Sequence, residues 1–172
     1  MGLDITAYSG TQAVRAFDAK FGMEEYESEY YGSDEGKYCA IYGKNNPSFT
    51  QNDGLVPGVY SYTDRLGFRA GSYSGYNRWR NTLAVLSGYG RAEHAWELCK
   101  DGLPADKPFI ELINFSDCEG TIGPKTATKL LADFEKYDEA AKTVEDPWFY
   151  SLYEEWKTAF QMASDNGFVS FH

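Results

Sequence analysis

Apolar and polar positions alternate in short runs through the first third of the chain and settle into helical stripes toward its end. Residues 3–8, LDITAY, alternate with β-branched content and predict a strand. KYCAIY at 37–42 and VYSYT at 59–63 predict two more. PFIELINF at 108–115 is predominantly apolar and gives the most convincing strand signal in the chain, and FVSF at 168–171 suggests a returning edge strand. TQAVRAFDAKF at 11–21 suggests a short helix. GKNNPSFTQNDGLVPG at 43–58 and SDCEGTIG at 116–123 are built of turn formers and predict loops.

Four helices follow from the 3.6-residue period. The first starts near Tyr76 or Asn77, repeats Trp79, Leu83 and Leu86 at i, i+4 and i+7, and stops at Gly88. RAEHAWELC at 91–99 is a shorter one. Pro124 stands at a first helical turn and opens a stripe of Ala127, Leu130, Leu131, Phe134, Tyr137 and Ala141. Asp146 is a candidate N-cap before Pro147, leading the stripe Trp148, Leu152, Trp156, Ala159 and Ala163 to a stop at Gly167. The expected architecture is a single α+β domain over 1–172. A small, mostly antiparallel sheet packs against an antiparallel pair of C-terminal helices plus shorter helices, with an acidic, loop-rich segment at about 10–60.

Composition supports this and removes some function classes. At 172 residues, 42% hydrophobic and 17% aromatic, the chain can build one real core. It has no apolar run long enough to span a membrane, and MGLDITAYSG lacks the pattern of a secretory signal, so no membrane association and a cytoplasmic setting are expected. Cys39, Cys99 and Cys118 are odd in number and widely spaced, and His94 and His172 have no ligand-spaced partner. Reduced thiols and no metal site or cofactor are the expectation. A net charge of −10 argues against general nucleic-acid binding.

That negative charge is segregated. Between Arg65 and Arg91 lie five of the six arginines (Arg65, Arg69, Arg78, Arg80, Arg91) and no Asp or Glu. Asp18 to Glu35 carries seven acids against Lys20, and Asp133 to Glu155 carries eight against Lys136 and Lys142. Within the basic window, FRAGSYSGYNRWR at 68–80 combines guanidinium groups with Gly71 and Gly75, which allow close approach of an anion to main-chain N–H groups. Arg69, Arg78 and Arg80 are candidate anion ligands, Ser72 and Ser74 candidate hydroxyl donors, and Tyr73 and Tyr76 candidate stacking surfaces. The competing reading is that these arginines pair with the acidic helices.

ELINFSDCEGTIGPKT resembles a phosphate-binding loop in outline only, because Pro124 separates Gly123 from Lys125 and the Walker pattern fails. The loop still exposes Asn114, Ser116, Asp117 and Glu119 at a strand's end; Asn114 is a candidate ligand contact, and Asp117 and Glu119 are candidate partners for a sugar hydroxyl, a cation or the arginines. Capping and salt bridging are the plainer roles for them. Cys118 between two acids is poorly placed as a nucleophile. No catalytic Ser/His/Asp order or HExxH occurs, so no catalytic residue is assigned.

MGLDI, FRAGSYSGYNRWR, ELINFSDCEGTIGP and ASDNGFVSFH together resemble a family of small, mostly uncharacterised proteins of tailed bacteriophages and prophages, over residues 1–8 and 66–172. The resemblance brings no catalytic residues. It implies an accessory protein acting in the host cytoplasm, and small acidic proteins of that kind often counter host defences. The leading expectation is a non-enzymatic protein binding a small anionic, nucleotide-like ligand. The alternatives are an acidic inhibitor docking on a host nucleic-acid-binding defence protein, and a small metal-dependent phosphoester hydrolase using Asp117 and Glu119. Fourteen tyrosines and four tryptophans leave aromatic surface for homo-oligomer formation.

Overall fold

The computed structural model describes residues 2–32, 36–42 and 50–172. The acids Asp34 and Glu35 and the loop at 43–49 lie outside them. The expected α+β architecture is present, with two antiparallel sheets in place of one.

The main sheet uses β1 (Gly2–Ser9), β5 (Asp64–Ser72), β6 (Gly120–Ile122) and β7 (Phe168–Phe171) in the order β5-β1-β7-β6. Alternation sends Leu3, Ile5 and Ala7 of β1 into the core. β7 is an interior strand, and all four of its residues are buried. The expected edge position fails because β6 forms inside the segment predicted as a loop and pairs Thr121 with Ser170. β5 was also not anticipated. It runs through FRAGS and takes a bulge opposite Leu3/Asp4, where Gly71 adopts φ +109.

The second sheet joins β2 (Gln12–Ala16), β3 (Tyr38–Ile41) and β4 (Gly58–Ser61) in the order β2-β4-β3. β2 replaces the helix expected at 11–21. Every β2 position is exposed, so no apolar stripe existed to hold a helix down, and backbone pairing with the central β4 decides instead. The small sheet packs on the main one through Tyr8, whose ring lies 5.0 Å from both Tyr62 and Phe168. Beside it, α1 (Met23–Glu29) carries the acidic run and buries only Tyr26.

Helices cover the other face of the main sheet. Ser72 caps α2 (Tyr73–Leu86), accepting a hydrogen bond from Gly75 N at 3.1 Å, so the helix begins a turn earlier than expected. After α3 (Ala92–Leu98), the apolar run at 108–115 is not a strand. Phe109 takes left-handed dihedrals and starts a single helical turn, α4 (Ile110–Ile113), buried at every position. A short apolar run suits a buried strand and a buried helical turn equally well, and its surroundings settle the matter.

α5 (Pro124–Ala141) and α6 (Pro147–Ser164) form the expected pair, with Pro at the first turn of each and the Asp146 carboxylate accepting from Trp148 N at 3.0 Å. Trp148 departs from the expected stripe. It stays 37% exposed and lies across the start of α2, where a Cβ on Gly71 would come within 3.3 Å of its ring. α6 returns to β7 through Gly167, whose Cβ would sit 1.8 Å from the Tyr8 carbonyl oxygen. Gly167→Ala is expected to destabilise the fold by about 1–3 kcal/mol or more, read as a lower urea midpoint.

Candidate functional site

The basic segment does not act as one unit, because a strand and a helix distribute its side chains. Arg69 projects from β5 and meets Asp4 across the strand pair at 3.4 Å, with both side chains more than half exposed. Ser72 and Ser74 occupy the exposed start of α2, their hydroxyls 3.2 Å apart. Tyr73 packs partly against the core, and Tyr76 is fully buried, so neither ring offers an open stacking face of the kind expected. Arg78 and Arg80 are two residues apart on a helix and so point about 200° apart. Arg78 is exposed, whereas Arg80 is 6% exposed. The expected convergence of three guanidinium groups does not occur.

Arg80 has unusual surroundings. One terminal nitrogen donates to the Phe115 carbonyl at 2.7 Å and the other donates to Asn77 Oδ1. The guanidinium carbon lies 5.3 Å from the Tyr76 ring centre and 5.4 Å from that of Trp96, within cation–π range. Among the described residues no carboxylate forms an ion pair with it. The nearest relay is through Asn77, whose amide donates to Asp117 Oδ2 at 3.2 Å. The Arg80 Nε is buried without a hydrogen-bond partner among the described residues, as is the Tyr76 hydroxyl one turn earlier. Burial raises the Tyr76 pKa above its ordinary value, keeping that hydroxyl protonated.

An open cleft of about 230 Å³ adjoins this arginine, lined by Arg80, Trp96, Asn114, Phe115 and Ser116. Three elements meet there. α2 supplies Arg80. α3 supplies Trp96, 38% exposed and fixed by its indole N–H donating to the Ile113 carbonyl at 2.9 Å. The end of α4 supplies Asn114, Phe115 and Ser116. The Ser116 hydroxyl also accepts from the backbone N–H groups of Cys118 and Glu119, which shapes the loop carrying Asp117.

A partly buried charge network holds α4 in place. Lys129 of α5 meets Glu111 at 2.6 Å and Asp133 at 2.8 Å, and Asp133 accepts from Phe109 N at 2.8 Å, pinning its left-handed turn. Gln51 adds a bond to the Glu111 carbonyl.

Of the candidate residues, Tyr76, Arg80, Asn114, Ser116 and Asp117 are thus brought to one place, Tyr76 as a buried support for the guanidinium. Arg69, Ser72, Ser74 and Arg78 lie elsewhere, and Glu119 stands on the exposed part of the loop. Trp96 and Asn77 were missed. With the helix expected to start near Tyr76 or Asn77, an Asn there reads as a cap; only the earlier start at Tyr73 places it inside the helix, facing Arg80 and Asp117. Among the described residues no group of three His, Cys, Asp or Glu side chains gathers as a metal site would require, so Asp117 and Glu119 have no third ligand. No described helix is long and apolar enough to cross a membrane. Cys39 is buried, its thiol pushed up to about 12 by desolvation, and all three cysteines are free thiols.

No protein-family model, curated protein or solved structure matches the chain.

Burial raises the Glu111 pKa above its ordinary 4.5, with Lys129 opposing the shift. A carboxyl whose folded pKa is raised contributes stability below its unfolded pKa and loses it as pH rises through the folded one. Glu111→Gln is therefore expected to flatten the fall in stability just above pH 4.5, measured by urea unfolding across pH 4 to 7.

Proposed function

We propose that the chain is a phage-type accessory protein that binds the anionic end of a small ligand in the Arg80 cleft, without turning it over. One observation carries this reading: a nearly buried guanidinium, with no ion-pair partner among the described residues, lines an open cleft. A buried charge is normally paired, because leaving it unpaired forfeits hydration without return. Two aromatic faces, a carbonyl and an amide oxygen offset part of that cost. An incoming anion supplies the missing countercharge. The motif resemblance supports the phage context, and interference with a host defence through capture of such a ligand is the corresponding role. Asp117 is already engaged by Asn77, which weakens its expected part in holding a sugar hydroxyl.

A thermal-shift panel of nucleoside phosphates and small carboxylates tests the reading. A ligand at a hundred times its Kd stabilises by about 2.7 kcal/mol. The shift should survive Arg78→Ala and vanish in Arg80→Met, and a panel without any shift counts against the site.

A second reading has its own support. Glu24 and Glu27 of α1, and Glu135, Glu145, Glu154 and Glu155 on or beside α5 and α6, are exposed and carry no ion pair among the described residues. Such a surface suits docking on the basic face of a host nucleic-acid-binding protein. It predicts association that weakens with salt and is competed by DNA, both visible in a pull-down with charge-reversed Glu24 and Glu27.

A further inference from the structure

The composition of the cleft narrows the ligand further, an inference that rests on the Arg80 cleft being an anion site. Among the described residues, Arg80 is the single charged one in its lining. A guanidinium has five N–H donors. Two are used, on Phe115 and Asn77, which leaves three, one of them the buried Nε–H.

One cation with a planar fork matches one negative charge spread over two oxygens. A phosphate dianion would need a second cation or a set of main-chain donors, and the described lining residues offer no second cation. It would also stand near the Asp117 carboxylate, which already reaches Arg80 through Asn77. Asn114 and Ser116 are the remaining polar side chains, enough to orient one small head group.

The walls decide what carries the charge. Trp96 presents a partly exposed indole held by its bond to Ile113, whereas the Phe115 ring turns into the core against Phe171 and offers Arg80 its carbonyl. A volume of about 230 Å³ is below the ~300–1,000 Å³ of pockets that enclose drug-sized ligands. A nucleotide would leave most of its base and sugar outside. We infer that the preferred ligand is a small monocarboxylic acid with a flat apolar body, its carboxylate on Arg80 and its body against Trp96.

Titration of the full ¹⁵N-labelled chain with sodium benzoate, and in parallel with sodium phosphate and with AMP, tests this. Benzoate should move the Trp96 indole and Arg80 Nε–H cross-peaks, with phosphate and AMP moving neither at the same concentration. Trp96→Ala, at a partly exposed position, should keep the fold and weaken benzoate roughly fivefold, the size of one aromatic contact. Arg80→Lys, which keeps the charge and loses the fork, should weaken it as well. If phosphate or AMP moves those peaks as much as benzoate does, the carboxylate assignment fails while the cleft stands as an anion site. Silence from all three probes overturns both.

Discussion

Trp156 is the point through which the fold is assembled. Its ring lies 5.2 Å from Phe68 of β5, 5.9 Å from Tyr76 and 6.0 Å from Trp79 of α2, and 5.4 Å from Phe171 of β7. Stacks of this kind contribute beyond the area they bury, and they fix orientation because offset and edge-to-face arrangements are preferred. The indole nitrogen finds no partner in that interior, a cost of about 1–3 kcal/mol that the packing must exceed. Once Tyr76 and Trp79 are committed to Trp156, the rotation of α2 is set. Arg80 then has to emerge beside Phe115 and Trp96, and Arg78 has to face solvent.

The cleft is therefore a product of core packing. Its arginine is held by aromatic rings and neutral oxygens, and its far wall hangs on a one-turn helix that Lys129, Glu111 and Asp133 keep in place. There one ammonium bridges two carboxylates around a left-handed residue. Among the described residues Arg80, the more buried of the two cations, has no such partner, and this contrast singles it out. Lys129 has two carboxylates within 3 Å, and Arg80 reaches its nearest one only through an amide.

Long periodic segments were legible. The α5 and α6 stripes, their proline starts and the Asp146 cap follow from local rules acting over five turns, where a register error would expose the apolar face. The alternation of β1 was equally clear. Short segments were not. QAVRA has no stripe and becomes a strand because β4 needs a partner, while FIELI is apolar enough for either state and becomes a helical turn among α2, α3 and α5. Of the site, Arg80, Asn114 and Asp117 stood out by type. Trp96 and Asn77 did not, since nothing local marks which side of a short helix will border a hollow.

By itself, the sequence determined the class of fold, the two long helices, the separation of acidic from basic segments and the presence of an arginine-rich stretch. These depend on period, capping and composition, which act within a few turns of chain. Only the tertiary structure decided that the arginines part company, with Arg69 on Asp4, Arg78 in water and Arg80 under two aromatic rings. The reason is that burial and countercharge belong to neighbours distant in sequence: Arg80 is 16 positions from Trp96 and 35 from Phe115.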